Sequence, residues 1–104
     1  MTIRKKNQAM RFLENLTGGP LSFAELIRSI RLGEEESQAS FARRLHISIS
    51  HLCDIEKGRK TVSIERAARF ANILKYSKEQ FVRLALQDVI NKAKLDMNVY
   101  VQAA

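Results

Sequence analysis

Apolar side chains at Phe23, Leu26, Ile27 and Ile30 return every three or four positions, the spacing that keeps one face of an α-helix buried. The same period governs Phe41, Ala42 and Leu45, then Leu52 and Ile55, then Ile64, Ala67, Ala68, Ala71 and Leu74. It governs again Phe81, Leu84, Ala85, Ile90 and Ala93. These runs predict five core helices, the second from Gln38 to about Leu45 and the fifth reaching about Lys94. A further short amphipathic helix is predicted over residues 2–17, where Ile3, Met10, Leu13 and Leu16 are apolar with Ala9 and Phe12 beside them. Gly18, Gly19 and Pro20 stop it.

Between the apolar runs stand residues that start and stop helices. Ser22 with Glu25, and Ser77 with Gln80, read as capping boxes, while Ser37, Ser48 and Ser63 read as plain N-caps. Gly33 ends the first core helix, and Gly58 ends the third as a residue free to adopt positive φ. Glu34, Glu35 and Glu36 precede the second helix, where their charge suits its positive end, a structural role.

The period changes after the fifth helix. Leu95, Met97, Val99 and Val101 alternate with Asp96, Asn98, Tyr100 and Gln102, as in a short strand. A lone strand cannot satisfy its own backbone, so this segment either pairs with a strand of another chain, a second subunit being the natural source, or is a frayed tail. The fold class is thus all-α, in three parts: an N-terminal helical extension over residues 1–20, a five-helix domain over 21–94, and a C-terminal β-strand or tail over 95–104 that is a candidate dimerisation element.

Composition narrows the partners. Eighteen Lys and Arg against eleven Asp and Glu give a net charge of +7, which favours a polyanion. In the N-terminal segment, Arg4, Lys5, Lys6 and Arg11 form either an arm on DNA or a solvated helix face. Cys53 is the single cysteine, so neither an intramolecular disulfide nor a Cys-based zinc cluster can form within one chain, as suits a reducing cytoplasm. With no apolar run long enough for a secretory signal or a membrane span, a soluble cytoplasmic protein without membrane contact is expected.

Charge and geometry converge between residues 38 and 58. A short helix, a turn of about three residues and a capped helix ended by glycine make a two-helix unit whose turn is too short for antiparallel packing. The helices must cross steeply, which lays the second outward, where its N-terminal residues can enter a major groove. Arg43, Lys57, Arg59 and Lys60 flank that helix and are the candidate phosphate contacts, neutralising backbone charge without reading sequence.

The residues Ile30-Arg31, Ser37-Gln38, Phe41-Ala42-Arg43-Arg44-Leu45, Ile47-Ser48, Leu52, Ile55-Glu56-Lys57-Gly58-Arg59, Ala71, Leu74 and Phe81 strongly resemble the lambda-repressor and Cro type of helix-turn-helix domain, the XRE family. The resemblance covers about residues 23–81 and implies a lambda-repressor-like fold that binds double-stranded DNA. It implies that Gln38 bonds to a phosphate and braces the recognition helix, that Ile49, Ser50 and Asp54, with Cys53 at the margin, face base edges, and that Arg31 pairs with Glu56. Ser48 and His51 complete the candidate phosphate contacts, with simple exposure the alternative for His51. Ile49 suits the methyl group of thymine and Ser50 specifies weakly, while Asp54 either accepts from a cytosine amino group or orients a neighbouring side chain. Glu35 and His46 stand where the family commonly has glycine, and Thr61-Val62 where a proline often precedes the serine.

The leading expectation is a homodimeric transcriptional regulator, a repressor, whose two recognition helices reach the half-sites of a palindromic operator about 34 Å apart. The alternative is an antitoxin similar to HigA-like proteins, which neutralises a partner toxin and represses its own operon. An enzyme is not expected: His46 and His51 lack supporting ligands, and neither a nucleophile with its base nor a Gly-rich phosphate loop is present. No cofactor or metal is expected. RNA binding by base stacking is disfavoured, because Trp is absent and the Phe residues fall at core positions.

Overall fold

The computed structural model describes residues 22–104, and over them five α-helices follow one another. They are α1 (Phe23–Gly33), α2 (Gln38–Arg44), α3 (Ile49–Glu56), α4 (Ile64–Leu74) and α5 (Lys78–Lys92). The helix expected over residues 2–17 lies outside the described residues.

Every one of these helices starts behind a serine. The hydroxyls of Ser22, Ser37, Ser48, Ser63 and Ser77 accept from the backbone N–H groups of Glu25, Ser40, His51, Arg66 and Gln80 at 3.0–3.3 Å. Each such cap stabilises its helix by about 1 kcal/mol relative to alanine. The first capping box is varied: the Glu25 carboxylate accepts from the Ser22 hydroxyl at 3.0 Å. In the second, the Gln80 amide oxygen turns instead to accept from Arg83 at 3.2 Å, and the Ser77 hydroxyl donates to Glu79 at 3.3 Å.

The helices also end alike. After each last turn one residue takes positive φ, and the following N–H reaches back five residues: Glu36 to Arg31, Ile47 to Ala42, Arg59 to Asp54, Tyr76 to Ala71 and Leu95 to Ile90. This is the Schellman closure. Only α3 supplies glycine for it, Gly58 at φ 72°, whereas Glu35, His46, Lys75 and Lys94 adopt φ of 56–61°. The turns keep the left-handed geometry that glycine would favour, at a cost on the order of 1 kcal/mol per residue.

Four phenylalanines, Phe23, Phe41, Phe70 and Phe81, are fully buried with Leu26, Ile27, Leu45, Leu52, Ile55 and Leu84. Phe23 meets Phe81 edge to face, ring centroids 5.7 Å apart, and so joins α1 to α5. Val62, next to Ser63, is buried in this core. Three apolar positions depart from the expected stripes: Ile64 and Ala93 are exposed, and Phe70 takes a core place on α4 that the run of alanines obscures.

The expected C-terminal strand is not formed. Residues 95–104 carry no strand pairing, because the described chain offers no second extended segment. A side chain stands in for the missing partner: the Gln87 amide oxygen accepts from the Val99 N–H at 2.9 Å, and its nitrogen donates to the Met97 carbonyl at 2.9 Å. Leu95, Met97 and Tyr100 remain exposed there, with Val89 beside them on α5. No described helix is long and apolar enough to cross a membrane.

Candidate nucleic-acid interface

α3 is anchored along its rear by Leu52 and Ile55, both essentially inaccessible. Its leading end faces solvent. Ile49 is 52% exposed, and Ser48 and Ser50 beside it are exposed. The turn from α2 closes through the Leu45 cap, His46 and the half-buried Ile47, which packs on the core and fixes where α3 begins.

The opposite end of α3 is clamped. Arg31 of α1 makes a two-pronged ion pair with Glu56, Nε to Oε2 at 2.7 Å and Nη2 to Oε1 at 3.0 Å. The Arg31 guanidinium also donates to the Glu36 carbonyl at 3.1 Å, and Gln38 of α2 donates to Glu56 at 3.2 Å. With Glu56 only 4% exposed, this network ties three helices together. The hydrogen bond to Glu56, opposed by burial, pushes the Arg31 pKa above its ordinary value, so the guanidinium keeps its charge.

Gln38 thus joins α2 to the end of α3 through Glu56. Gln38 and Lys57 line a shallow cleft with Arg28, Arg31 and Glu56, at the junction of α1, α2 and the end of α3. Arg28 went unread in the sequence, although it lies one helical turn before Arg31 and shares its face.

The other side of α3 carries a second charged group. Asp54 lies 3.6 Å from Arg59 and 3.5 Å from Lys60, so the loop after Gly58 folds back onto the helix. His51, about 140° around α3 from Glu56 at 3.6 residues per turn, meets Arg66 of α4 at 3.2 Å. Burial, then the charges of Arg66 and Lys60, lower the His51 pKa from its ordinary value, with Asp54 acting in the opposite sense. Arg66 also went unread, since only the path of the loop between α3 and α4 brings the start of α4 to His51.

The remaining candidates are placed as follows. Cys53 is a half-buried free thiol at the margin of the leading end. Arg43 is exposed on α2, and no hydrogen bond or ion pair joins it to either charged group among the described residues. Arg44 is taken up by Glu34 at 3.0 Å and by Glu36, over the Phe41 ring at 5.7 Å, so these acids are structural in fact. Among the described residues, no group of three or more His, Cys, Asp or Glu is placed to hold a metal ion.

A family model described as a helix-turn-helix domain matches residues 22–84, more than half of the chain. No curated protein and no solved structure matched it. The matched span contains the α2–α3 pair, its clamp and both charged groups, and the chain accordingly belongs to the helix-turn-helix domain family, a DNA-binding fold of regulators.

Proposed function

We propose that the protein is a sequence-specific, double-stranded DNA-binding transcriptional regulator, a repressor that acts as a homodimer on a palindromic operator. The observation that carries this reading is the exposed leading end of α3, Ser48, Ile49 and Ser50, on a helix whose rear is buried and whose far end has Lys57 on one side and Arg59 and Lys60 on the other. Ile49 and Ser50 read base edges, with Cys53 at the margin. Gln38, Arg43, Ser48, His51, Lys57, Arg59 and Lys60 contact phosphates and set the register. Asp54, already beside Arg59 and Lys60, holds those two cations against α3 until phosphates take them.

The dimer is supported by the exposed apolar residues Val89, Leu95, Met97 and Tyr100, which follow one another in the C-terminal part of the chain. Truncation after residue 94 should convert the dimer to a monomer in sedimentation; an unchanged dimer assigns the contact elsewhere. The function itself is tested by selecting bound duplexes from a random pool. A symmetric site with half-sites about one helical turn apart is expected. A pool that emerges without enrichment would reject sequence-specific binding.

A further inference from the structure

The contact between α3 and α4 contains an unusual pairing of bases. Arg66, the third residue after the Ser63 cap, aims Nη1 at the His51 ring, 3.2 Å from Nε2 and 3.5 Å from Nδ1. A guanidinium has only donors, so the imidazole must accept through a lone pair, which a doubly protonated ring lacks. The charged groups facing the ring are Arg66 from α4, Lys60 from the following loop and Asp54 from α3. Asp54 is shared with Arg59 and Lys60, which leaves this flank short of negative charge. The contact therefore disfavours the protonated ring in the free protein, and one anion set between the ring and the guanidinium would accept from both.

We propose that Arg66 is a DNA-backbone-contacting residue and that, with His51, it forms a seat for one phosphate on the α4 side of the recognition helix. The inference rests on the DNA-binding reading above and adds a residue and a signature to it. A phosphate oxygen takes the Arg66 donor and favours the charged ring, so His51 gains a proton from solvent as DNA docks. Binding then takes up a proton, and affinity rises as pH falls. His46, the only other histidine, is exposed at the α2–α3 turn and has no part in this contact.

The test is fluorescence anisotropy with a selected and an unrelated duplex, from about pH 8 to about pH 5.5 and from about 50 to about 200 mM salt. Arg66→Ala should weaken binding to both duplexes alike. At about 0.9 in salt slope per lost phosphate contact, it should lose about threefold less affinity than the parent across that salt range. Arg66→Lys should restore most of the salt slope, and His51→Gln should flatten the pH dependence. Circular dichroism melting of each variant separates a folding defect from a lost contact. A parental salt slope in a folded Arg66→Ala, or a pH dependence that survives in His51→Gln, overturns the proposal while leaving DNA binding intact. A parent that binds neither duplex overturns both readings together.

Discussion

Two sides of α3, near its C-terminal end, are held by different kinds of charge pairing. On the Glu56 side, Arg31 and Gln38 close on a carboxylate that is 4% exposed, with two short parallel hydrogen bonds. On the Asp54 side, the partners are Arg59 and Lys60, 65% and 59% exposed, at 3.5–3.6 Å. Paired and dry, the first group cannot be given up without leaving a buried charge. The second is wet and loosely paired, so a DNA phosphate can take its cations at little cost. One helix thus carries a scaffold on one side and an adjustable binding surface on the other.

Glu56→Ala should break this contrast most severely. It strands Arg31 and removes the Gln38 brace, at a cost of about 3 kcal/mol by chemical denaturation; a loss below about 1 kcal/mol would reduce the clamp to an ordinary surface pair. Strengthening the scaffold should work at the turns. Glu35→Gly and His46→Gly remove side chains from left-handed positions, and each should add about 1 kcal/mol without altering the salt slope of DNA binding. Lower stability in both variants would mean that those side chains hold their turns.

Asp54→Ala addresses the loose side. Stability should change by less than about 1 kcal/mol, while all duplexes bind more tightly at low salt as Arg59 and Lys60 are freed. A change in preference between operators would make Asp54 a base reader instead. Ile49→Ala should be nearly neutral for stability, since the side chain is half exposed, and should shift operator preference. The smallest effect concerns acid. Because the folded His51 binds its proton less readily than the unfolded chain, stability of the free protein falls as pH drops below the ordinary histidine value of 6.5, opposite in sign to the expected rise in DNA affinity. His51→Gln should abolish that decline in thermal melts.

Much of the scaffold was legible because it is local. Five serines announced five helix starts, and Gly58 announced one end, since caps depend only on neighbouring residues. The Arg31–Glu56 pair was implied by the family resemblance, and its distances now show it. What the sequence hid depends on packing. Glu35 and His46 stand where the family commonly has glycine, and only the structure shows that they keep glycine's geometry, while Gln80 gave no sign that it would prefer Arg83 to its own cap. The alternation after Lys94 signalled strand propensity, yet propensity makes no ladder without a second strand, and Gln87 supplied the hydrogen bonds. Arg66 became visible only when the start of α4 was found against His51.

The central claim is that the leading end of α3 enters a major groove. It is tested most directly by titrating isotope-labelled protein with a selected duplex and following backbone amide resonances. The account predicts the largest shifts at residues 48–53, with smaller ones at Gln38, Lys60 and Arg66 and none in the core of α5. Saturable binding that leaves residues 48–53 unmoved while shifting α5 would contradict it.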